Sequence, residues 1–180
     1  MTEIEIKAWV DNPEETEKVI RSFAVYTKEL HKKDVYWALE KPDTDGFMKV
    51  RIREDNEGVT VTYKRKEVRG AIEVNDEKEF SISARKDFEV LLTDIGFAPY
   101  TTKEKQTRVF ASTTEGGLPV SIELSYIPPL GWFIELELLA NNPDEAFLIR
   151  AEAELKAELR RCGIPEEKIE KRFYTELLHG

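Results

Sequence analysis

Acidic and basic residues recur two apart along several stretches of this chain. Glu3, Glu5 and Lys7 form one such set, Arg51 and Arg53 a second, Glu77 and Glu79 a third, and Glu135 and Glu137 a fourth. In a β-strand, residues two apart share a face, so each set reads as one ionic strand face. Glu123, between Ser121 and Ser125, adds a further carboxylate, and Lys64, Lys105 and Arg108 add cations. The opposite faces are apolar: Ile4 and Ile6, Val50 and Ile52, Ile122 and Leu124, Ile134 and Leu136. Carboxylates crowded into a confined site must take up protons or bind a cation. An all-oxygen set with no His or Cys suits Mg²⁺ or Mn²⁺ rather than zinc. The accompanying cations would hold an anion, and a polyphosphate carrying its divalent metal satisfies both halves. No GxxxxGK[ST] loop is present, so this is not P-loop chemistry.

A plainer reading gives each strand a core face and a solvated face, as antiparallel sheets commonly have. Two features oppose it. Glutamate is a poor strand former, and like charges two apart repel, whereas solvated faces mix signs. Turned inward, with the apolar faces outward beneath helices, the ionic faces would line a lumen.

Those faces must be positioned by a chain of 180 residues, enough for one domain spanning 1–180 with a sizeable core. With 27 Lys and Arg against 36 Asp and Glu, the net charge is −9, which argues against a nucleic-acid-coating role. The single cysteine, Cys162, excludes an internal disulfide framework and a Cys-rich zinc site. The acidic start, Met1 to Lys7, is unlike a signal peptide, and no apolar run is long enough to span a membrane. A cytoplasmic protein is expected.

Alternation from Glu3 to Ala8 predicts a first strand. Asn12-Pro13 then caps a helix expected to run to about His31. Strands follow at Asp34–Leu39, Met48–Arg53 and Val59–Lys66, with turns at Lys41–Gly46 and Asn56–Gly58. Asn75–Ile82 is a further strand and Ser83–Ile95 a short amphipathic helix. Lys103–Ser112, Pro119–Tyr126 and Trp132–Leu139 are three more strands. Helices are predicted from Asn142-Pro143 to Arg161 and from Pro165 to about Leu178. About eight hairpin-joined strands with peripheral helices suggest an α+β chain, an antiparallel sheet curled into a β-barrel.

In this order the residues resemble the CYTH superfamily, the triphosphate tunnel metalloenzymes. Glu3-Ile-Glu-Ile-Lys7 is similar to the family's ExExK signature. Asp34-Val-Tyr36, Val50-Arg-Ile-Arg53 and Thr62-Tyr-Lys64 resemble its next strands. Glu77-Lys-Glu79 is similar to its ExE pair, and Lys105-Gln-Thr-Arg108-Val-Phe110 to its Lys/Arg strand. Leu130-Gly-Trp-Phe133-Ile-Glu135-Leu-Glu137 resembles the more specific LGxFxExE segment. Arg172-Phe-Tyr174 through Leu178 resembles the ending of the class IV adenylate cyclase branch.

The resemblance implies an eight-stranded antiparallel barrel forming a tunnel that binds a triphosphate with Mg²⁺ or Mn²⁺. Lys7, Arg51, Arg53, Lys64, Lys105 and Arg108 are then expected to grip phosphate oxygens. Glu3, Glu5, Glu77, Glu79, Glu123, Glu135 and Glu137 are expected to bind metal or hold the cations. Many members carry an Asp where this chain has Ser125, and Glu123 on the same face is the candidate to reach the metal instead.

Two chemistries fit one such site, and the branch-like C-terminal ending leans towards the cyclase, with the triphosphatase as the alternative. A class IV adenylate cyclase converts ATP to cyclic AMP and pyrophosphate. A triphosphatase hydrolyses inorganic, thiamine or nucleoside triphosphate. A non-catalytic polyphosphate- or nucleotide-binding module is a third reading, as a monomer or homodimer. His31 and His179 lie far apart and do not suggest a histidine base. Cys162, Trp9, Trp37 and Trp132 read as packing residues, and Tyr36 as packing or structural. Glu154, Glu158, Lys156 and Arg160 read as a solvated helix face. The C-terminal helix is expected to cap one end of the tunnel.

Overall fold

The computed structural model describes residues 1–40 and 47–179. The turn expected at Lys41–Gly46 lies outside the described residues. Eight strands occur among them: β1 (Thr2–Trp9), β2 (Val25–Glu40), β3 (Phe47–Asp55), β4 (Gly58–Arg69), β5 (Ile72–Ser81), β6 (Ala98–Thr113), β7 (Pro119–Ile127) and β8 (Gly131–Ala140). Four helices accompany them: α1 (Pro13–Arg21), α2 (Arg85–Asp94), α3 (Glu145–Arg161) and the short α4 (Tyr174–His179). The strands close into a barrel in the order β1-β5-β4-β3-β2-β6-β7-β8, with β8 pairing back onto β1. All the pairings are antiparallel, as expected for strands joined by hairpins.

The apolar strand faces point outward, under helices. Ile4, Ile6, Ile122, Leu124, Ile134 and Leu136 pack with Leu148, Ala151, Leu155 and Leu159 of α3 and Ile20 of α1. A second cluster sets Trp37, Ile52 and Val61 against Leu92 of α2 and Phe97. The hydrophobic core is therefore a layer outside the barrel, which frees the interior for charged side chains. A third, smaller cluster of Ile127, Phe133 and Tyr174, with Trp9 and Leu177 beside it, closes the barrel end where β7 turns into β8. The Pro128–Pro129 peptide in that turn is cis.

Several expected boundaries move. The first helix ends at Arg21 rather than near His31, and the chain from Val25 is a strand of sixteen residues. Val25, Tyr26 and Thr27 favour strand, and pairing along β6 extends that preference through thirteen register positions, from Val25 opposite Ala111 to Ala38 opposite Ala98. The predicted Pro165–Leu178 helix is a 3₁₀ turn at Glu166–Lys168, an extended crossing and then α4. Ile169 bridges Ala8, and the Glu170 N–H donates to the Lys7 carbonyl at 2.8 Å, drawing the chain across the barrel end.

Three carboxylates of α3, Glu152, Glu154 and Glu158, are also not a solvated face. Glu158 is buried and accepts from the Ser112 hydroxyl at 2.9 Å, Glu154 accepts from the Gly116 N–H at 3.0 Å, and Glu152 accepts from the Ala71 N–H at 3.1 Å. They clamp the helix to β6 and to two barrel turns, and a side chain at Gly116 would collide with Glu154. No helix among the described residues is long and apolar enough to cross a membrane.

Candidate active site

A cavity of about 780 Å³ runs through the barrel interior. Of the residues singled out by charge patterning, Glu3, Glu5, Lys7, Arg51, Arg53, Glu77, Glu79, Lys105, Glu123, Glu135 and Glu137 line it. Lys64 pairs with Glu77 in the β4–β5 ladder; its side chain lies outside the described part. Arg108 is not among the lining residues. It donates to Glu17 of α1 and lies over the Trp132 ring, outside the barrel. The reason is parity: Lys105 and Arg108 are three apart on one strand and so face opposite ways.

Alternation from Lys105 points instead to Lys103 and Thr107, and both are buried. Lys103 lines the cavity, as do Lys32, Tyr36, Lys49, Thr62, Glu73 and Tyr174. Lys32 and Tyr36 flank Asp34 on one face of β2; Lys32 fell between the helix expected to about His31 and the strand expected from Asp34, so its place in this alternation did not show. Glu73 precedes the expected start of its strand, although it continues the Glu77 and Glu79 alternation backward. Thr62 carries no charge to announce it.

The interior charges are ordered rather than mixed. On β2, Asp34 accepts two parallel hydrogen bonds from Arg53, Nε at 2.7 Å and Nη2 at 2.9 Å, and meets the Lys103 ammonium at 3.2 Å. Burial pushes its carboxyl upward, but Lys103 and Arg53 outweigh that and hold it well below the usual range. Lys105 reaches Glu123 at 2.9 Å and Glu135 at 2.6 Å, while Lys32 reaches the other oxygen of Glu123 at 2.6 Å. Lys32 and Lys105 are direct partners across the β2–β6 ladder. Burial, with Lys105 adding to it, lowers Lys32 to about 8 despite Glu123. Burial also works against the charge of Lys105, but its two carboxylates outweigh it and raise its pKa.

The opposite wall is acidic. Glu5 stands opposite Glu73 on β5 and opposite Glu137 on β8. Glu3 accepts from Asn75 at 3.1 Å, and Lys7 meets Glu73 at 3.1 Å. Where the cationic wall meets the acidic one, Arg51 of β3 donates to Thr62 at 2.9 Å, which donates onward to Glu79 at 2.9 Å, and Arg51 meets Glu77 at 3.4 Å. Among the described residues the buried Nε of Arg51 has no hydrogen-bond partner, a donor left unsatisfied within the protein. Ser125 bonds Thr107 at 2.9 Å, hydroxyl to hydroxyl.

The closed end is aromatic. Phe133 packs on Trp9 with ring centroids 4.1 Å apart and on Tyr174 at 5.1 Å. The ammoniums of Lys7 and Lys103 lie 4.6 and 4.5 Å from the Tyr174 ring centre. Phe173, Tyr174 and Thr175 of the C-terminal segment line the cavity, so this segment caps the tunnel.

Among the described residues no three carboxylates already converge as a metal-binding group. A hard divalent cation does not require such a group. Mg²⁺ keeps several waters and binds through one or two carboxylates together with substrate phosphates. The row of Glu5, Glu73 and Glu137 supplies that all-oxygen chemistry, with the Glu5 carboxylate in no side-chain hydrogen bond or ion pair among the described residues. The donor set therefore fits the metal that the charge pattern calls for.

The model of the CYTH domain family matches residues 1–174. No curated protein matches the chain. A solved protein from Pyrococcus horikoshii is 27% identical, with a TM-score of 0.80 and 98% of each chain covered. A Vibrio parahaemolyticus protein provisionally described as an adenylate cyclase is 17% identical, with a TM-score of 0.78, covering 100% of this chain and 99% of that one. A Hippeastrum protein described as an adenylyl cyclase candidate with a dominant triphosphatase activity is 18% identical, with a TM-score of 0.59, covering 91% and 89%. The last two likenesses show the fold alone.

Proposed function

The chain belongs to the CYTH domain family, and from that premise we propose that it is a divalent-metal-dependent triphosphatase. It binds the triphosphate of its substrate inside the barrel and hydrolyses the terminal phosphoanhydride. The observation that carries this reading is the two-sided interior. One wall is rich in fixed cations, Arg51, Arg53, Lys103 and Lys105, and the other presents Glu5, Glu73 and Glu137. Mg²⁺ or Mn²⁺ bound at Glu5 and Glu137 would supply charge neutralisation to the phosphates.

The residues of the chain do the rest by position. Arg51, with its Nε turned to no other group, and Arg53, fixed by Asp34, hold phosphate oxygens. Lys105, pinned between two carboxylates, keeps its proton and adds a permanent charge. Water attacks the terminal phosphorus, the bridging P–O bond breaks, the shortened phosphate leaves with the electron pair, and a proton of the water passes to the phosphate products or to solvent. Such transfer relies on in-line placement and on neutralising charge at the equatorial oxygens. The dense ionic lining favours a phosphate chain over an organic group along most of its length.

A second reading, the class IV adenylate cyclase reaction from ATP to cyclic AMP and pyrophosphate, draws on one observation. Phe173 and Tyr174, in the segment that resembles that branch, add aromatic surface to the cavity. A single cysteine, buried, agrees with a reducing compartment such as the cytoplasm.

Phosphorus NMR on the purified protein with ATP, thiamine triphosphate and inorganic triphosphate, each with Mg²⁺ and then Mn²⁺, tests both. Orthophosphate release is expected. Cyclic AMP with pyrophosphate from ATP would replace this reading with the cyclase, and bound but intact triphosphate would make the chain a binding module.

A further inference from the structure

Glu123 is the carboxylate on β7 best placed by spacing to bind a metal, yet its two oxygens are already committed to cations. Oε1 meets Lys32 at 2.6 Å and Oε2 meets Lys105 at 2.9 Å. Lys32 and Lys105 sit directly opposite one another on β2 and β6. Two ammoniums side by side repel, and in a buried site they stay together only when a counter-charge lies between them. Glu123 is that counter-charge. Ser125, two residues along the same face, uses its hydroxyl on Thr107. The inward face of β7 thus serves the cationic wall and contributes nothing to the acidic one.

We propose that Lys32 is a further phosphate-binding residue of the tunnel, and that Glu123 is its positioning residue rather than a metal ligand. Lys32 lines the cavity with its side chain 6% exposed, and its ammonium has three donors. One goes to Glu123, leaving two to meet phosphate oxygens. Because Glu123 also holds Lys105, it sets the spacing between two adjacent ammoniums, and that spacing selects neighbouring oxygens of one phosphate chain. The inference rests on the triphosphate reading above and extends it to a residue that the charge patterning did not single out.

The test measures calorimetric affinity for inorganic triphosphate in excess Mg²⁺, and Mn²⁺ uptake by electron paramagnetic resonance, on the full chain. Native protein, Lys32→Gln, Glu123→Gln and the double variant are compared, with melting temperatures as a control on folding. Each single variant should weaken triphosphate binding by about tenfold or more, the size expected for one charge-assisted hydrogen bond. The double variant should be no weaker than the worse single one, because the two residues act as a unit. At triphosphate concentrations that saturate both proteins, Mn²⁺ uptake should be equal in native protein and Glu123→Gln. Native affinity in Lys32→Gln would overturn the assignment of Lys32, whatever the stability of Glu123→Gln. Loss of Mn²⁺ uptake in Glu123→Gln would make Glu123 a metal ligand and overturn its positioning role. Absence of triphosphate binding by the native protein would sink the tunnel reading itself and this inference with it.

Discussion

Asp34 and Arg53 meet inside the barrel through two parallel hydrogen bonds, 2.7 and 2.9 Å long, with the Lys103 ammonium 3.2 Å from the same carboxylate. One fully enclosed carboxylate thereby orients two cations of the tunnel wall. A bidentate pair of this kind fixes direction as well as distance.

Replacing it by Asp34→Asn leaves Arg53 and Lys103 buried without a counter-charge, a change that typically costs about 3–5 kcal/mol. The cost has a definite pH dependence. The Asp34 carboxyl is held well below 3.8 in the folded chain, so its stabilising contribution is complete above that value and is lost as pH falls below it. Melting curves of native protein and Asp34→Asn should be far apart at neutral pH and draw together in acid. A constant difference down to strongly acidic pH would contradict this.

Lys32 should make triphosphate capture sensitive to mildly alkaline pH. Its pKa of about 8 lies below the ordinary 10.5, so the free tunnel loses this charge as pH rises through about 8. Affinity should fall over that range, and binding near pH 9 should take up a proton, visible as a buffer-dependent heat. For folding the sign is opposite. Between about 8 and 10.5 the unfolded chain binds more protons at this residue, so its contribution to stability rises with pH.

Two arginines that look alike in the sequence should behave differently. Arg51→Ala removes a cavity-lining guanidinium and should weaken inorganic triphosphate binding by about 10–100-fold. Arg108→Ala removes only a contact with Glu17 and the Trp132 ring outside the barrel. Its triphosphate affinity should match the native value. Equal losses in the two variants would place Arg108 at the site after all.

The apolar layer outside the barrel should be separable from the site. Leu155 is fully buried between α3 and the sheet, and Leu155→Ala should destabilise by about 2–5 kcal/mol. Triphosphate affinity below the melting transition should be unchanged. A parallel loss of affinity would mean that α3 shapes the tunnel as well as supporting it.

Metal uptake should depend on the acidic wall. Glu5→Gln removes the carboxylate between Glu73 and Glu137 and should reduce Mn²⁺ bound in the presence of triphosphate, read by electron paramagnetic resonance. Unchanged uptake would move the metal elsewhere in the tunnel.

Much of this architecture is written locally. Alternation at Glu3-Ile-Glu-Ile-Lys7 and at Phe133-Ile-Glu-Leu-Glu137 dictates strands with one ionic and one apolar face, because the strand repeat is two residues. Paired glutamates on such a face are costly in an ordinary solvated sheet, and that cost is what points to an enclosed site. The family resemblance rests on the same residues. What the tertiary structure decided is which charges meet. Arg108 satisfied a pattern of residue types but falls on the wrong parity of β6, and only the ladder shows it. Lys32 joined the wall once Val25–Glu40 paired along β6 as one long strand, because pairing with a distant strand overrode the helical spacing read up to about His31, and the same ladder set Asp34 opposite Lys103. The division of the interior into a cationic and an acidic wall depends on closure, which brings β8 against β1 and sets Glu137 opposite Glu5. A strand specifies its own faces through its repeat, but its neighbours across the barrel are chosen by the whole fold.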